Sequence, residues 1–143
     1  MKNNKLFGMI RGLFGKTLAI GFLAAILAAA SYAQSVRLVE SGNSNNFLGT
    51  IYMTKNNTEY RIDFDGGGYI RIYMPCSKIS NGSVEGNQCA FEQYTSGSIL
   101  DMSGEAQVFT DATVNLKWKY WYNGNTPQPY YQYGWKQYVP DSK

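Results

Sequence analysis

The sequence predicts an all-β protein: a single small antiparallel barrel or sandwich with one disulfide, following a cleaved N-terminal signal helix. Three observations carry this. Beyond residue 33, apolar and polar residues alternate with period two, and no stretch repeats at 3.6 residues. Gly, Asn, Asp and Pro break that alternation at short intervals, as in all-β sandwiches and barrels. The chain has two cysteines, Cys76 and Cys89, both in the alternating part.

The first 33 residues have the layout of a secretory leader. Met1 to Lys16 carries Lys2, Lys5, Arg11 and Lys16 and no acid. Thr17 to Ala30 is an unbroken run of small and apolar residues, and Ser31-Tyr32-Ala33 puts small residues where signal peptidase reads them. The apolar run is about 14 residues, short of the roughly 20 that span a bilayer. The expectation is a signal peptide at 1–33, a single antiparallel β domain at 34–143, and export to the periplasm or extracellular space. No transmembrane segment is expected after cleavage.

Cleavage changes the charge. The chain carries +3 overall, but four of its 13 basic residues lie in the leader, leaving nine against ten acids. A net charge near −1 with no basic face excludes a sequence-independent nucleic-acid binder. The remaining 110 residues suffice for one modest core.

In an oxidising compartment a lone cysteine pair joins. The Cys76–Cys89 spacing is not the C-x-x-C of redox enzymes, so the expected role is structural, contributing roughly 3 kcal/mol by loop closure. The enclosed Ser77 to Gln88 has little apolar content and reads as a stapled loop.

Strands are expected at Val36–Glu40, Leu48–Thr54, Thr58–Phe64, Tyr69–Met74, Ala90–Tyr94, Ser98–Met102, Ala106–Thr110, Thr113–Tyr122 and Tyr130–Tyr138. One hairpin is specified to its register. Tyr60, Ile62 and Phe64 share a face, as do Ile70, Ile72 and Met74. A three-residue Gly66–Gly68 loop keeps these faces together, with Phe64 opposite Ile70 and Asp63 opposite Arg71. The triple glycine lacks the lysine and helix of a phosphate loop. Glu59, Asp63 and Asp65 lack the remaining ligands of a calcium loop. No metal site and no cofactor are expected.

The chain has no histidine, which removes Ser-His-Asp and Cys-His nucleophile systems and the usual zinc ligand sets. Carboxylate chemistry remains open.

Trp118 to Tyr138 holds nine aromatics in 21 residues, split by the turn-rich Asn123–Pro129. The pattern reads as a long hairpin. Leu116, Trp118, Tyr120 and Tyr122 fall on one face and Lys117, Lys119 and Trp121 on the other. One face must be core, and a small domain cannot bury both. The candidate contact surface is therefore Trp121, Tyr130 and Tyr138 with Lys119 and Lys136, an exposed aromatic patch of the kind that marks interaction sites.

Three functions fit these features. The first is a secreted or periplasmic, non-enzymatic binding or inhibitory protein that recognises a protein partner or glycan of the envelope or extracellular space through this hairpin. The second is a subunit of a surface assembly or multimeric toxin, a homo-oligomer with the aromatics between protomers. The third is a carboxylate-dependent glycan hydrolase, which needs a pair of acids flanking the bond.

Overall fold

The computed structural model describes residues 34–130 and 134–143; the expected signal peptide and the aromatics Tyr131 and Tyr133 lie outside these. The described residues form ten strands: β1 Val36–Glu40, β2 Asn43–Met53, β3 Glu59–Asp63, β4 Tyr69–Tyr73, β5 Ser77–Asn81, β6 Val84–Tyr94, β7 Leu100–Phe109, β8 Val114–Asn123, β9 Thr126–Pro129 and β10 Lys136–Pro140. Every pairing is antiparallel. Eight strands close on themselves in the order β10-β1-β2-β3-β4-β6-β7-β8, with β8 pairing back to β10. The architecture is thus an all-β closed barrel with one disulfide, which decides between barrel and sandwich.

Closure explains the interior. Leu38, Ile51, Ile62, Ile70, Ile72, Phe91, Val114 and Leu116 are fully buried inward residues of β1, β2, β3, β4, β6 and β8, and Ala106 and Val108 on β7 and Tyr138 on β10 complete the set. Eight strands enclose a space that such side chains can fill. Their outward neighbours include Arg61, Asp63, Arg71, Glu92 and Glu105, so polar groups coat the barrel and apolar groups fill it. That is the reverse of a lipid-facing barrel.

The β3–β4 loop has three residues, as expected, but it is Asp65-Gly66-Gly67. The Phe64 N–H donates to the Gly68 carbonyl and the Gly67 N–H to the Phe64 carbonyl, both at 3.2 Å. Ile62 therefore faces Ile70, and Arg61 faces Arg71. Slipping by two residues keeps every side chain on its face, so alternation cannot separate the two registers. Turn chemistry does: Gly67 and Gly68 have φ of +83° and +88°, and a Cβ on Gly68 would lie 2.6 Å from the Tyr94 carbonyl oxygen. The expected Asp63–Arg71 pair is replaced by Arg61–Asp63 and by Arg71–Glu59 at 2.8 Å.

Two further expectations are corrected. Ser77–Gln88 is a hairpin, β5 with the first half of β6, turning on Gly82-Ser83. Strand β5 runs on from β4 along the same side of β6 after a two-residue shift at the cis Met74-Pro75 bond. The stretches 98–102 and 106–110 are one strand, β7, passing unbroken through Ser103-Gly104. Glycine inside a strand often marks a site where another backbone approaches closely, and at Gly104 it does so.

The last aromatic segment is also reorganised. Strand β8 pairs with β9 at its C-terminal half and with β10 at its N-terminal half, so the return path is divided. The Tyr130 N–H donates to the Lys119 carbonyl at 2.7 Å. By alternation, Thr126 and Gln128 also aim their backbone at β8, and Pro127 and Pro129 aim theirs outward. The prolines remove the outward N–H donors and blunt this free edge against strand addition.

Candidate functional site

The site is built by the four outer strands β4, β6, β7 and β8. On the outward face the two middle strands carry small side chains, Ala90 and Ser103, while the flanking strands carry tyrosines, Tyr73 on β4 and Tyr120 and Tyr122 on β8. The height difference leaves a groove of about 340 Å³, at the low end of the roughly 300–1,000 Å³ of small-molecule sites. Gly104 and Phe91 also line it.

A bulge in β8 places the tyrosine wall. Gly104 faces Trp118, yet the adjacent Ser103 faces Tyr120, so Lys119 is the extra residue. Beyond it the faces of β8 swap. Trp118 points inward, packing edge-on against Phe91 with centroids 5.9 Å apart and donating from Nε1 to Gln93 Oε1 at 3.0 Å. Tyr120 and Tyr122 point outward with Lys117, contrary to the unbroken alternation expected from the sequence. The Tyr122 and Ser103 hydroxyls lie 3.2 Å apart.

Two carboxylates line the groove. Glu105 faces Ala90 and Glu92 faces Ser103, making the acids diagonal neighbours on adjacent strands. Glu92 accepts hydrogen bonds from the Tyr73 and Tyr94 hydroxyls. Burial, followed by the hydrogen bond to Glu92, pushes both phenols above the ordinary tyrosine range, so they remain donors well past neutral pH. Glu105 is ion-paired with Lys119. The Arg71 guanidinium lies 5.0 Å from the Tyr73 ring centroid and is raised above its usual range by its hydrogen bond to Glu59. Among the described residues, no group of three or more Cys, Asp or Glu is placed to hold a metal ion.

The five residues expected to form the contact surface do not assemble into one patch. Trp121 is 38% exposed but faces Met102 and Gln128, on the far side of the bulge from the barrel core. Tyr130 is half-buried. Tyr138 is a correction: it is 5% exposed and part of the core, between Val114 and Glu40, and burial raises its phenol to about 12. Its strand, β10, closes the barrel, so this position faces inward. Lys136 is exposed opposite Leu116, and Lys119 alone of the five lines the groove.

Tyr73, Ala90, Glu92, Ser103 and Glu105 are the groove residues the sequence left unmarked. Period two in β6 does place Ala90, Glu92 and Tyr94 on one face. Only the barrel's register sets that face beside the tyrosines of β4 and β8.

No protein-family model, curated protein or solved structure matches the chain.

Proposed function

We infer that this chain is an exported, non-enzymatic binding protein that recognises a glycan or protein partner of the envelope or extracellular space. Its contact surface is the outer groove; Trp121, between Tyr120 and Tyr122, points from the opposite face of β8. The groove carries the reading: three tyrosines flank a floor of small residues, and Glu92, Glu105 and Lys119 line it with them. Tyr and Trp offer broad amphipathic area with little side-chain entropy to lose, which favours recognition. The Cys76–Cys89 bridge fits an oxidising compartment. No helix among the described residues is long and apolar enough to cross a membrane.

The test is capture from the native envelope and secreted fractions by the oxidised protein, with Tyr120→Ala as the paired control. A glycan or protein retained by the wild type and lost with the folded variant supports the reading. Retention unchanged by Tyr120→Ala moves the contact surface elsewhere.

The pairing of Glu92 with Glu105 in one groove favours hydrolysis as the second reading. A hydrolase needs one carboxyl to deliver a proton, whereas here both carboxylates accept from donors already in place. Release of reducing ends from polysaccharide by the wild type, abolished in Glu105→Gln, would establish it.

A further inference from the structure

We propose that the groove between Tyr73 and the Tyr120–Tyr122 pair is a saccharide site: it takes a neutral, hydroxyl-rich ring lying across Ala90 and Ser103. This deepens the binding reading and rests on it.

The chemistry of the groove selects the ligand class by elimination. A cationic ligand would seek the carboxylates and the ring faces, but the chain's own cations already hold several of them. Lys119 is paired with Glu105, and the Arg71 guanidinium lies over Tyr73. An anionic ligand would enter beside two carboxylates, Glu92 and Glu105, and the one lysine that lines the groove, Lys119, is already paired with Glu105. An apolar ligand would cut off from water the lone pairs that Glu92 and Glu105 have left after their bonds to Tyr73, Tyr94 and Lys119, and would offer those lone pairs no new partner, which costs free energy.

A sugar avoids all three conflicts. Its hydroxyls donate to carboxylate oxygens and accept from phenol, serine and ammonium groups. The groove supplies both kinds: acceptors on Glu92 and Glu105, donors on Lys119, and hydroxyls that do either on Ser103 and Tyr122. A carboxylate offers about four lone-pair sites, so one or two existing bonds leave capacity for a ligand. The flat faces of a sugar ring carry C–H groups that pack against aromatic rings, and Tyr120 is 45% exposed at the groove's rim. A protein partner needs a contact area of roughly 800 Å² a side, whereas this groove of about 340 Å³ is the size of a small ligand.

The experiment uses the mature, oxidised protein labelled with ¹⁵N. The N-acetylglucosamine tetramer, cellotetraose and maltotetraose are titrated separately. Ala90 is exposed and faces outward, so Ala90→Arg fills the groove from its floor without disturbing the core. Thermal unfolding confirms that the variant is folded. The expected result is saturable amide shifts at Ala90, Glu92 and Ser103 with one of the three sugars, weakened at least about tenfold in Ala90→Arg. No shift with any sugar, while the wild type but not Ala90→Arg captures an envelope protein, overturns the saccharide proposal and leaves the binding-protein reading standing. Shifts accompanied by new reducing ends overturn the non-enzymatic reading and keep the saccharide site. Neither shifts nor capture overturns both.

Discussion

Gly104 and Lys117 meet backbone to backbone across the β7–β8 ladder. A Cβ on Gly104 would lie 2.0 Å from the Lys117 carbonyl oxygen and 3.0 Å from the Phe91 ring. The contact sits beside the Lys119 bulge, which turns Tyr120 outward. Gly104→Ala is therefore expected to destabilise by about 3 kcal/mol or more, since backbone cannot yield as a side chain tip can. Urea unfolding measures this, with Ser103→Ala as a neighbouring control expected to change stability by less than about 1 kcal/mol.

Cys76 and Cys89 are bridged at a Cα separation of 4.6 Å, the spacing of directly opposed, non-hydrogen-bonded residues in an antiparallel pair. They stand where β4 gives way to β5, and the bridge closes a 13-residue separation. Replacing both with serine is expected to cost about 2–4 kcal/mol. Strand β5 has one half-buried apolar residue, Ile79, to hold it otherwise. Amide exchange should show protection lost first over Ser77–Asn81.

Trp118 and Trp121 are three residues apart, and their loss is expected to affect stability to very different extents. Trp118 packs on Phe91 and against the core cluster, so Trp118→Ala should destabilise by roughly 3–5 kcal/mol. Trp118→Phe keeps a ring but loses the bond to Gln93, at about 1 kcal/mol. Trp121→Ala should cost less than about 1 kcal/mol and leave the near-ultraviolet spectrum of the folded state largely intact. Chemical denaturation of the three variants decides the face assignment; unfolding by Trp121→Ala would reverse it.

Tyr138 makes stability fall at alkaline pH. Its phenol titrates near 10.0 when unfolded and near 12 when folded, because of burial and then Glu40. A raised folded value means that the folded chain holds the proton longer. The contribution is fully present below pH 10 and is lost as pH rises toward 12. The two values correspond to about 2–3 kcal/mol. Tyr60, Tyr73 and Tyr94 are raised too and act in the same direction. In Tyr138→Phe, stability followed from pH 9 to 12 by urea denaturation should decline less steeply than in the wild type. An identical slope would place Tyr138 in water rather than in the core.

Much of the barrel was legible in the residues. Alternation located β1, β3 and β4 to within a residue or two, because each places one apolar set inside and one polar set outside. The cysteine pairing followed from the count of two and the expectation of an oxidising compartment, and the bridge is formed. Strand β5 was hidden because Ser77-Lys78-Ile79-Ser80-Asn81 is polar on both faces, as an edge strand can be, although Asn81-Gly82 is a hairpin signal. The Gly66–Gly68 loop was displaced by one position because a two-residue register slip preserves every face.

The sequence by itself determined that the chain is all-β, that it alternates inside and outside, and that its two cysteines join. These follow from local rules: period, turn chemistry and the reactivity of a lone pair. Closure into a barrel, the role of Tyr138 and the candidate site were decided only by tertiary structure. Strands far apart in the chain must be set in register before Ala90, Glu92 and Glu105 lie between Tyr73 and Tyr120. The bulge at Lys119, which turns the tyrosines outward, lies beside the backbone contact of Gly104 with Lys117, and no local pattern in the chain encodes that meeting.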